Sequence, residues 1–128
     1  MPNWDAYKRS AKERGSLALE LYVAETTPVG AIDAVKEHLP AHLAYQQSLE
    51  RAGTLVFAGP LSDLSGELMQ GCGMMIYRAA SMQDARQTAD SDPMHASGAR
   101  HYTLRKWLIN EGSLSFNIGL STQSVDFN

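Results

Sequence analysis

The stretch "HLPAHLAYQQSLERAGTLVFAGPLSD", His38 to Asp63, contains the change of period on which the fold prediction depends. Its first half places apolar and small residues at helical spacing, and Gly53 ends this pattern because glycine commonly follows a helix C-terminus. The run "TLVFAG" is too short for a helix and rich in strand formers, and Gly59-Pro60 is predicted to end it. This helix followed by a strand is the centre from which the other elements are assigned.

The residues before this stretch predict a strand and then an interrupted helix. "SLALELYVAE" alternates with the period of two that is typical of a half-buried strand. Thr26 and Thr27 are suitable caps for a helical turn opened by Pro28. Because Pro40 removes a backbone donor and clashes with the preceding turn, we expect this segment to break near His38. The second helix then begins at Pro40.

Two more strands and a helix follow. "CGMMIYRA" is a strand, joined to "TLVFAG" as a hairpin by the turn-rich link "LSDLSGELMQG". Ser81 caps a helix reading "MQDARQTAD", with Asp84 at its third position as a variant of the capping box. Asp92-Pro93 closes that helix. "ARHYTLRKWLI" is the last long strand, and "SLSFNIGL" in the tail alternates enough to add an edge strand or to reach a second chain.

The resulting core order, β-α-β-β-α-β, is that of the ferredoxin-like split unit, in which two helices cover one face of a four-stranded antiparallel sheet. No further long helix is predicted for the other face. The predicted fold class is therefore α+β, with a second copy of the chain covering that face in a homodimer, a dimeric α+β barrel. We divide the chain into an N-terminal helical extension (1–15, capped by Asn3), the ferredoxin-like domain (16–109) and a C-terminal tail (110–128).

The composition is typical of one soluble globular domain. The chain has 128 residues, of which 44% are hydrophobic and 20% charged. Lys and Arg number 11 against 14 Asp and Glu, a net charge of −3, and the basic residues are scattered, so nucleic acid is not an expected partner. No apolar run approaches the roughly 20 residues that span a bilayer. This favours a cytoplasmic protein without a membrane partner.

Of four histidines, His42 is the best placed for chemistry. In the first turn of the second helix it would lie at the positive end of the helix dipole, which favours a neutral imidazole available as a base or an acceptor. A nearby carboxylate would fix the tautomer by accepting one ring N–H. A half-exposed histidine that merely caps the helix is the plain structural alternative.

Metal binding is not predicted. His38 and His42 lie four residues apart, but Pro40 breaks the regular turn between them. No carboxylate or cysteine at ligand spacing completes a set. Cys72, the single cysteine, excludes an internal disulfide and a multi-thiolate zinc site, and its small and apolar neighbours predict a buried, inert thiol.

Other candidate residues lie near the last strand and its preceding turn. Asp92 follows a helix and precedes proline, so a helix stop accounts for it without any chemistry. Either face of the last strand can be the buried one, which leaves the roles of His95 and His101 open. Arg100 and Arg105 are candidates to bind an anionic substrate, or they lie on a solvated sheet edge.

The order of these features resembles the YCII-related (YciI-like) domain family. The resemblance rests on "PAHLAYQQSLERAGTLVFAGPLSD", on a glycine-flanked strand and on "DARQTADSDPMHASG", and it covers Leu17 to Trp107. It implies a ferredoxin-like fold in a dimeric α+β barrel with a His-Asp dyad in a pocket, here His42 and Asp92. The substrate-binding residues that it implies for the same cleft are Gly59, Pro60 and Ser62.

Three functions remain open on this basis. The first is a cofactor-independent lyase, dehydrochlorinase or isomerase that acts on a small cyclic or aromatic compound, with His42 as general base and Asp92 as its partner. The second is a non-catalytic module of the same family that binds a small ligand or another protein, in which this pair is a structural hydrogen bond. A cofactor-free monooxygenase is the third, on fold analogy alone.

Overall fold

Helices and strands alternate in the order β-α-β-β-α-β between two terminal additions. A computed structural model of the protein describes residues 1–127. The elements are α1 (Trp4–Glu13), β1 (Leu19–Pro28), α2 (Ile32–Arg51), β2 (Leu55–Ser62), β3 (Met69–Tyr77), α3 (Met82–Asp90), α4 (Pro93–Ala96), β4 (Arg100–Ile109), β5 (Phe116–Gly119) and β6 (Ser124–Phe127). The chain forms two compact units, one of Glu20–Leu108 and one of Met1–Leu19 with the segment that begins at Ile109. The predicted order of the central elements is confirmed, with α4 as an addition.

The central unit is built on a four-stranded sheet in the order β2-β3-β1-β4. β3 pairs antiparallel with both β1 and β2, and Tyr22 lies opposite Tyr77 in the first of these pairs. β1 continues to Pro28, so the helical turn predicted at Thr26 to Pro28 is wrong. The pairing with β3, which reaches Thr26 opposite Gly73, keeps these residues extended where local capping signals alone favoured a turn.

The core of this unit lies between one face of the sheet and α3. Tyr22 and Tyr77 are fully buried there, and the tyrosine hydroxyl of Tyr77 donates to Met75 Sδ at 3.3 Å. The buried cluster consists of Tyr22, Ala24, Met75, Tyr77, Ala85 and Ala89. Small alanines on α3 allow the helix to approach the sheet closely, because only a methyl group separates the two backbones. α2 differs, since none of its residues is fully buried.

The buried face of the last long strand, β4, is the one that carries Tyr102 and Leu104. Tyr102 and Leu104 pack against the core cluster, whereas His101, Arg105 and Trp107 are exposed. The alternation has the period of two that was predicted for this strand. His101 therefore lies on the face that the helices do not cover.

α2 is a single helix of 20 residues that contains Pro40, so the break predicted near His38 is wrong. Proline in a helix interior removes the hydrogen bond to the carbonyl four residues earlier, here that of Lys36. Both Pro40 and Lys36 are exposed, so water can hydrate the carbonyl that loses its partner. The predicted end of the helix is confirmed, with Ala52 as C-cap and Gly53 at a φ of 77°.

β2 passes through Gly59-Pro60 and ends at Ser62, so the predicted strand end at Gly59-Pro60 is wrong. β2 is an edge strand of the sheet, and its register with β3 shifts between Pro60 and Ser62. Proline is tolerated at such a position because an edge strand has one row of backbone donors that no neighbour needs.

The turn between α3 and β4 contains a second short helix. Ser81 caps α3 as predicted, and its Oγ accepts the backbone N–H of Asp84 at 3.1 Å. α3 ends at Asp90, and Asp92 then caps α4 by accepting the N–H of Met94 at 2.9 Å. Asp92 is thus an N-cap and not only a helix stop.

The terminal unit consists of α1 and a hairpin. Asn3 caps α1 as predicted, and its Oδ1 accepts the N–H of Asp5 at 2.9 Å. In the tail, β5 pairs antiparallel with β6 and adds no edge strand to the four-stranded sheet, while its reach to a second chain stays a prediction. Phe116 and Phe127 meet edge to face with centroids 6.4 Å apart. The N–H of Leu17 donates to the carbonyl of Asn110, which connects the two terminal segments.

We expect Pro40→Ala to stabilise the protein. Alanine restores the helical hydrogen bond, and proline in a helix interior is about 3 kcal/mol less favourable than alanine. The unfolded chain becomes more flexible without proline, which offsets up to about 1 kcal/mol of this gain. Urea denaturation should therefore show a free energy of unfolding higher by about 1–3 kcal/mol. Pro60→Ala is the matched control and should give no gain, since Pro60 lies in a strand. A loss of stability in Pro40→Ala would contradict this account of α2.

Candidate active site

A cavity of about 370 Å³ lies between α2 and the sheet, within the central unit. Its presence explains why no residue of α2 is fully buried. Residues of β1, α2, β2, β3, α4 and β4 line it, and most of them are apolar. The lining residues are Thr26, Val35, Leu39, His42, Leu43, Gln46, Ala58, Gly59, Pro60, Met69, Gly71, Cys72, Gly73, Met74, Met75, Met94, His95 and Arg100.

His42 and Asp92 are in direct contact at one wall of this cavity. His42 Nδ1 lies 2.8 Å from Asp92 Oδ1 and 2.8 Å from Asp92 Oδ2. The carboxylate is only an acceptor when ionised, so Nδ1 carries the proton and donates it. The side chain of Asp92 is 1% exposed and that of His42 is 16% exposed. Nε2 of His42 has no hydrogen-bond partner within residues 1–127, so it is the ring nitrogen available to a bound molecule.

The position of His42 differs from the one that the sequence predicted. Because α2 continues through Pro40, His42 lies in the middle of the helix and not in its first turn. The effect of a helix dipole is limited to the first and last turns, so it does not act on this imidazole. Asp92 is the group that fixes the tautomer and the orientation of the ring.

Asp92 reaches His42 because α3 and α4 are joined by a tight turn. Its carboxylate accepts one hydrogen bond from Met94 N–H and one from His42, which together satisfy a buried charge. One turn further along α2, the hydroxyl of Tyr45 donates to the carbonyl of Thr88 in α3 at 2.7 Å. Burial raises the pKa of Tyr45, and the negative charge of Asp92 raises it further. These two contacts hold α2 against the turn between α3 and α4.

His95 is a second histidine of the cavity wall, whose role the sequence left open. Its Nδ1 lies 2.7 Å from the carbonyl of Ala89, and its Nε2 lies 2.9 Å from Thr26 Oγ1. Burial lowers the pKa of His95, so the ring is neutral near pH 7. Nδ1 then donates to the carbonyl, and Nε2 accepts the hydroxyl proton of Thr26. The ring also lies against the ring of Tyr102, with centroids 4.6 Å apart and the two planes tilted by 41°.

The other residues singled out in the sequence divide between this cavity and the surface. Gly59 and Pro60 line the cavity, whereas Ser62 does not and instead donates to the carbonyl of Asp63 at 2.8 Å. Cys72 is half-buried and lines the cavity, so the prediction of a buried thiol is wrong. The irregular course of edge strand β2 leaves this part of β3 less covered than its buried end.

The two arginines of β4 occupy opposite faces of the sheet. Arg100 lines the cavity, while Arg105 forms an ion pair with Glu25 outside it. The alternation of the strand separates them, because residues five apart point to opposite faces. His101, on the same face as Arg105, contacts Thr27 Oγ1 through Nε2 at 2.9 Å.

Two glycines of β3 line the cavity at points where neighbouring strands approach closely. A Cβ atom at Gly73 would lie 3.2 Å from the carbonyl oxygen of Gly59, and one at Gly71 would lie 3.2 Å from Cγ of Pro28. Gly71 also has a φ of 85°, which side chains disfavour. The sequence signal for these positions is the pattern "GCG", in which Gly71 ends the predicted link and Gly73 belongs to the predicted strand.

Within the described residues 1–127, no group of three His, Cys, Asp or Glu side chains is arranged to hold a metal ion. His38 does not line the cavity, and its Nε2 lies 4.0 Å from Glu37 Oε2. No helix in the same range of residues is long and apolar enough to cross a membrane.

The fold and the cavity define a class of protein, a small α+β domain with an antiparallel four-stranded sheet and a pocket beneath one helix. The chain belongs to the YCII-related domain family, whose model matches residues 18–108. This confirms the family that the sequence motifs predicted. The match ends at the same strand, β4, that closes the central unit.

A curated relative and a solved structure are similar to this chain. The "Uncharacterized protein YjpA" of Bacillus subtilis (strain 168) is 28% identical over 76 residues, which cover 59% of this chain and 82% of that protein. The 5-chloro-2-hydroxyhydroquinone dehydrochlorinase (TftG) of Burkholderia phenoliruptrix AC1100, in complex with 2,5-dihydroxybenzoquinone, has a TM-score of 0.56 and 19% identity. That match covers 68% of this chain and 92% of the dehydrochlorinase, and it shows a shared fold.

We expect the protein to lose stability in mild acid because of His95. Its pKa is lower in the folded chain than the ordinary value of 6.5, so the unfolded chain binds more protons between these two values. The contribution of neutral His95 to the free energy of unfolding is therefore complete above pH 6.5 and declines as the pH falls toward the lowered pKa. Urea titrations at a series of pH values should show a shallower decline for His95→Gln than for the wild type. The control is His101→Gln, and an equal change in both variants would contradict the assignment to His95.

Proposed function

We propose that this protein is a cofactor-independent enzyme, of the lyase, dehydrochlorinase or isomerase type, which acts on a small cyclic or aromatic compound through a dyad of His42 and Asp92. The observation that carries the proposal is the 2.8 Å contact between His42 Nδ1 and the buried Asp92 carboxylate at the wall of a cavity. A buried carboxylate that orients a histidine is the arrangement of a general base and its partner.

The proposed chemistry is proton abstraction by Nε2 of His42. This atom takes a proton from a substrate hydroxyl or from a carbon next to a carbonyl, and the electron pair stays on the substrate. There it either forms an enolate or phenolate oxygen or expels a leaving group such as chloride. Asp92 stabilises the imidazolium that forms, because its negative charge lies beside Nδ1. Loss of HCl balances without any oxidant or reductant.

The chlorinated substrate of the structural neighbour is a suitable first probe. That enzyme acts, by its name, on 5-chloro-2-hydroxyhydroquinone, and its structure contains 2,5-dihydroxybenzoquinone. The largely apolar wall of the cavity in this chain favours a ring of similar size. Unchlorinated hydroxyhydroquinone is the matched compound, since it lacks the leaving group and can only exchange or shift a proton.

We expect His42→Ala and Asp92→Asn each to lower kcat/KM by about 10²–10⁴-fold, the usual contribution of a general base. Chloride release and product absorbance measure the elimination, and exchange of ring protons for deuterium, followed by NMR, measures proton abstraction alone. The control is His38→Ala, which removes a histidine of the same helix that does not line the cavity. Full activity in either dyad variant would contradict the proposal, as would the absence of both elimination and exchange in the wild type.

A non-catalytic binding module is the second candidate, and it is favoured by the burial of Asp92. The carboxylate is 1% exposed and connects α2 to the start of α4, which is also what a purely structural hydrogen bond would do. His42→Ala then lowers the free energy of unfolding by about 1–3 kcal/mol, because a buried acceptor loses its donor. No compound is turned over in that case, and ligand binding persists.

We propose further that the central unit is ferredoxin-like and that two copies form a dimeric α+β barrel. Phe57 and Trp107 support this proposal because they lie on the sheet face opposite the α3 core and are 55% and 45% exposed. Sedimentation equilibrium should give twice the mass of the chain. Trp107→Asp should shift the protein toward the monomer, because dimerisation would then remove a carboxylate from water without giving it a partner. Gln83→Asp, at an exposed position of α3, is a control for added charge away from that sheet face. A wild-type monomer at all concentrations would contradict the proposal.

A further inference from the structure

Among the described residues that line the cavity, Arg100 is the one that carries a permanent charge. None of the described residues that line it is an aspartate or a glutamate. The carboxylate of Asp92 is buried behind the wall and is already paired with His42 and with the backbone N–H of Met94. The cavity of a protein with a net charge of −3 therefore presents a cation and no counter-ion.

Few protein acceptors contact the side chain of Arg100. Its Nη1 donates to the backbone carbonyl of Thr26 at 3.4 Å, which is a long contact for a charged donor. No carboxylate lies within ion-pair distance of Arg100 in residues 1–127, whereas Arg105 of the same strand is paired with Glu25. Since a guanidinium carries five N–H donors in a planar fork, most donors of Arg100 have no acceptor among the residues that the structure describes.

Two other polar residues of the wall, Thr26 and His42, offer acceptors and add no negative charge. His95 donates from Nδ1 to the carbonyl of Ala89, so its Nε2 takes the hydroxyl proton of Thr26. Thr26 Oγ1 then offers only lone pairs to a molecule in the cavity. In the tautomer whose Nδ1 donates to Asp92, Nε2 of His42 is likewise an acceptor. Both atoms suit a ligand that carries a hydroxyl group.

The rest of the wall selects for size and an apolar body. Val35, Leu39 and Leu43 line it from α2, and Met75 and Met94 line it from the other side. The cavity volume of about 370 Å³ lies at the small end of the roughly 300–1,000 Å³ typical of small-molecule sites. One substituted ring fits these dimensions better than a larger ligand.

We propose that Arg100 is the residue that determines specificity, and that the cavity takes a small ring bearing an ionised oxygen group and a hydroxyl group. The carboxylate or phenolate oxygen binds the guanidinium, and the hydroxyl donates to Thr26 Oγ1 or to His42 Nε2. Turnover of such a compound rests on the proposed function of the His42 and Asp92 dyad, but its binding does not. The two can therefore fail separately.

The test compares an anion with a neutral compound of the same shape. 4-Hydroxybenzoate and 4-hydroxybenzamide are titrated into the full-length protein by calorimetry at one ionic strength. We expect Arg100→Gln to weaken the binding of the benzoate by about 10–100-fold, the usual effect of losing a charge-assisted hydrogen bond, and to leave the benzamide unchanged. Arg105→Gln removes the same charge from the same strand on the other face and should bind both compounds as the wild type does.

Three results would overturn the proposal. They are equal weakening in Arg100→Gln and Arg105→Gln, no preference of the wild type for the benzoate, and no binding of either compound at millimolar concentration. Circular dichroism checks the fold of each variant. Arg100→Lys provides a second test if Arg100→Gln does not fold, since lysine retains the charge without the planar fork and should retain a reduced preference for the benzoate. Benzoate binding that depends on Arg100, together with an inactive dyad, would refute only the proposed function.

Discussion

The burial of the Asp92 carboxylate is the constraint on which the site depends. An ionised carboxylate removed from water costs several kcal/mol unless hydrogen-bond donors replace the water. Asp92 obtains one donor from the backbone of Met94, which starts α4, and the other from Nδ1 of His42 on α2. The same pair of bonds therefore begins one helix, holds another helix in place and leaves a single ring nitrogen of His42 for a ligand.

The cavity follows from how α2 is held. Contacts at His42 and Tyr45 attach this helix to the turn after α3, while α3 itself packs closely on the sheet through alanines. α2 therefore remains far enough from β3 to leave a pocket, and glycines at positions 71 and 73 keep side chains out of the opposite wall. A pocket whose walls belong to a helix and a sheet that are held by other contacts is formed before any ligand arrives.

Local signals predicted most elements but failed at two prolines and one threonine, whose conformations are decided by their surroundings in the fold. Pro40 predicts a helix break, but α2 continues through it. Water can hydrate the exposed carbonyl that loses its hydrogen bond, which lowers the free-energy cost of proline in this helix. Pro60 predicts the end of β2, but the strand continues to Ser62 because an edge strand tolerates proline. Thr26 carried a capping signal that the β1–β3 pairing overrode. In each case the missing information was which side of the residue faces solvent or another strand.

The sequence by itself determined the order of the central elements, the caps at Asn3 and Ser81, the end of α2 and membership of the family, because these depend on short-range patterns. The resemblance to the family implied the pair of His42 and Asp92, but only the tertiary structure shows their contact across 50 positions and that of Thr26 with His95 across 69. It also decided that Arg100 faces the cavity while Arg105 does not. Periodicity specifies that a strand has two faces, but the packing of helices against the sheet decides which face is buried.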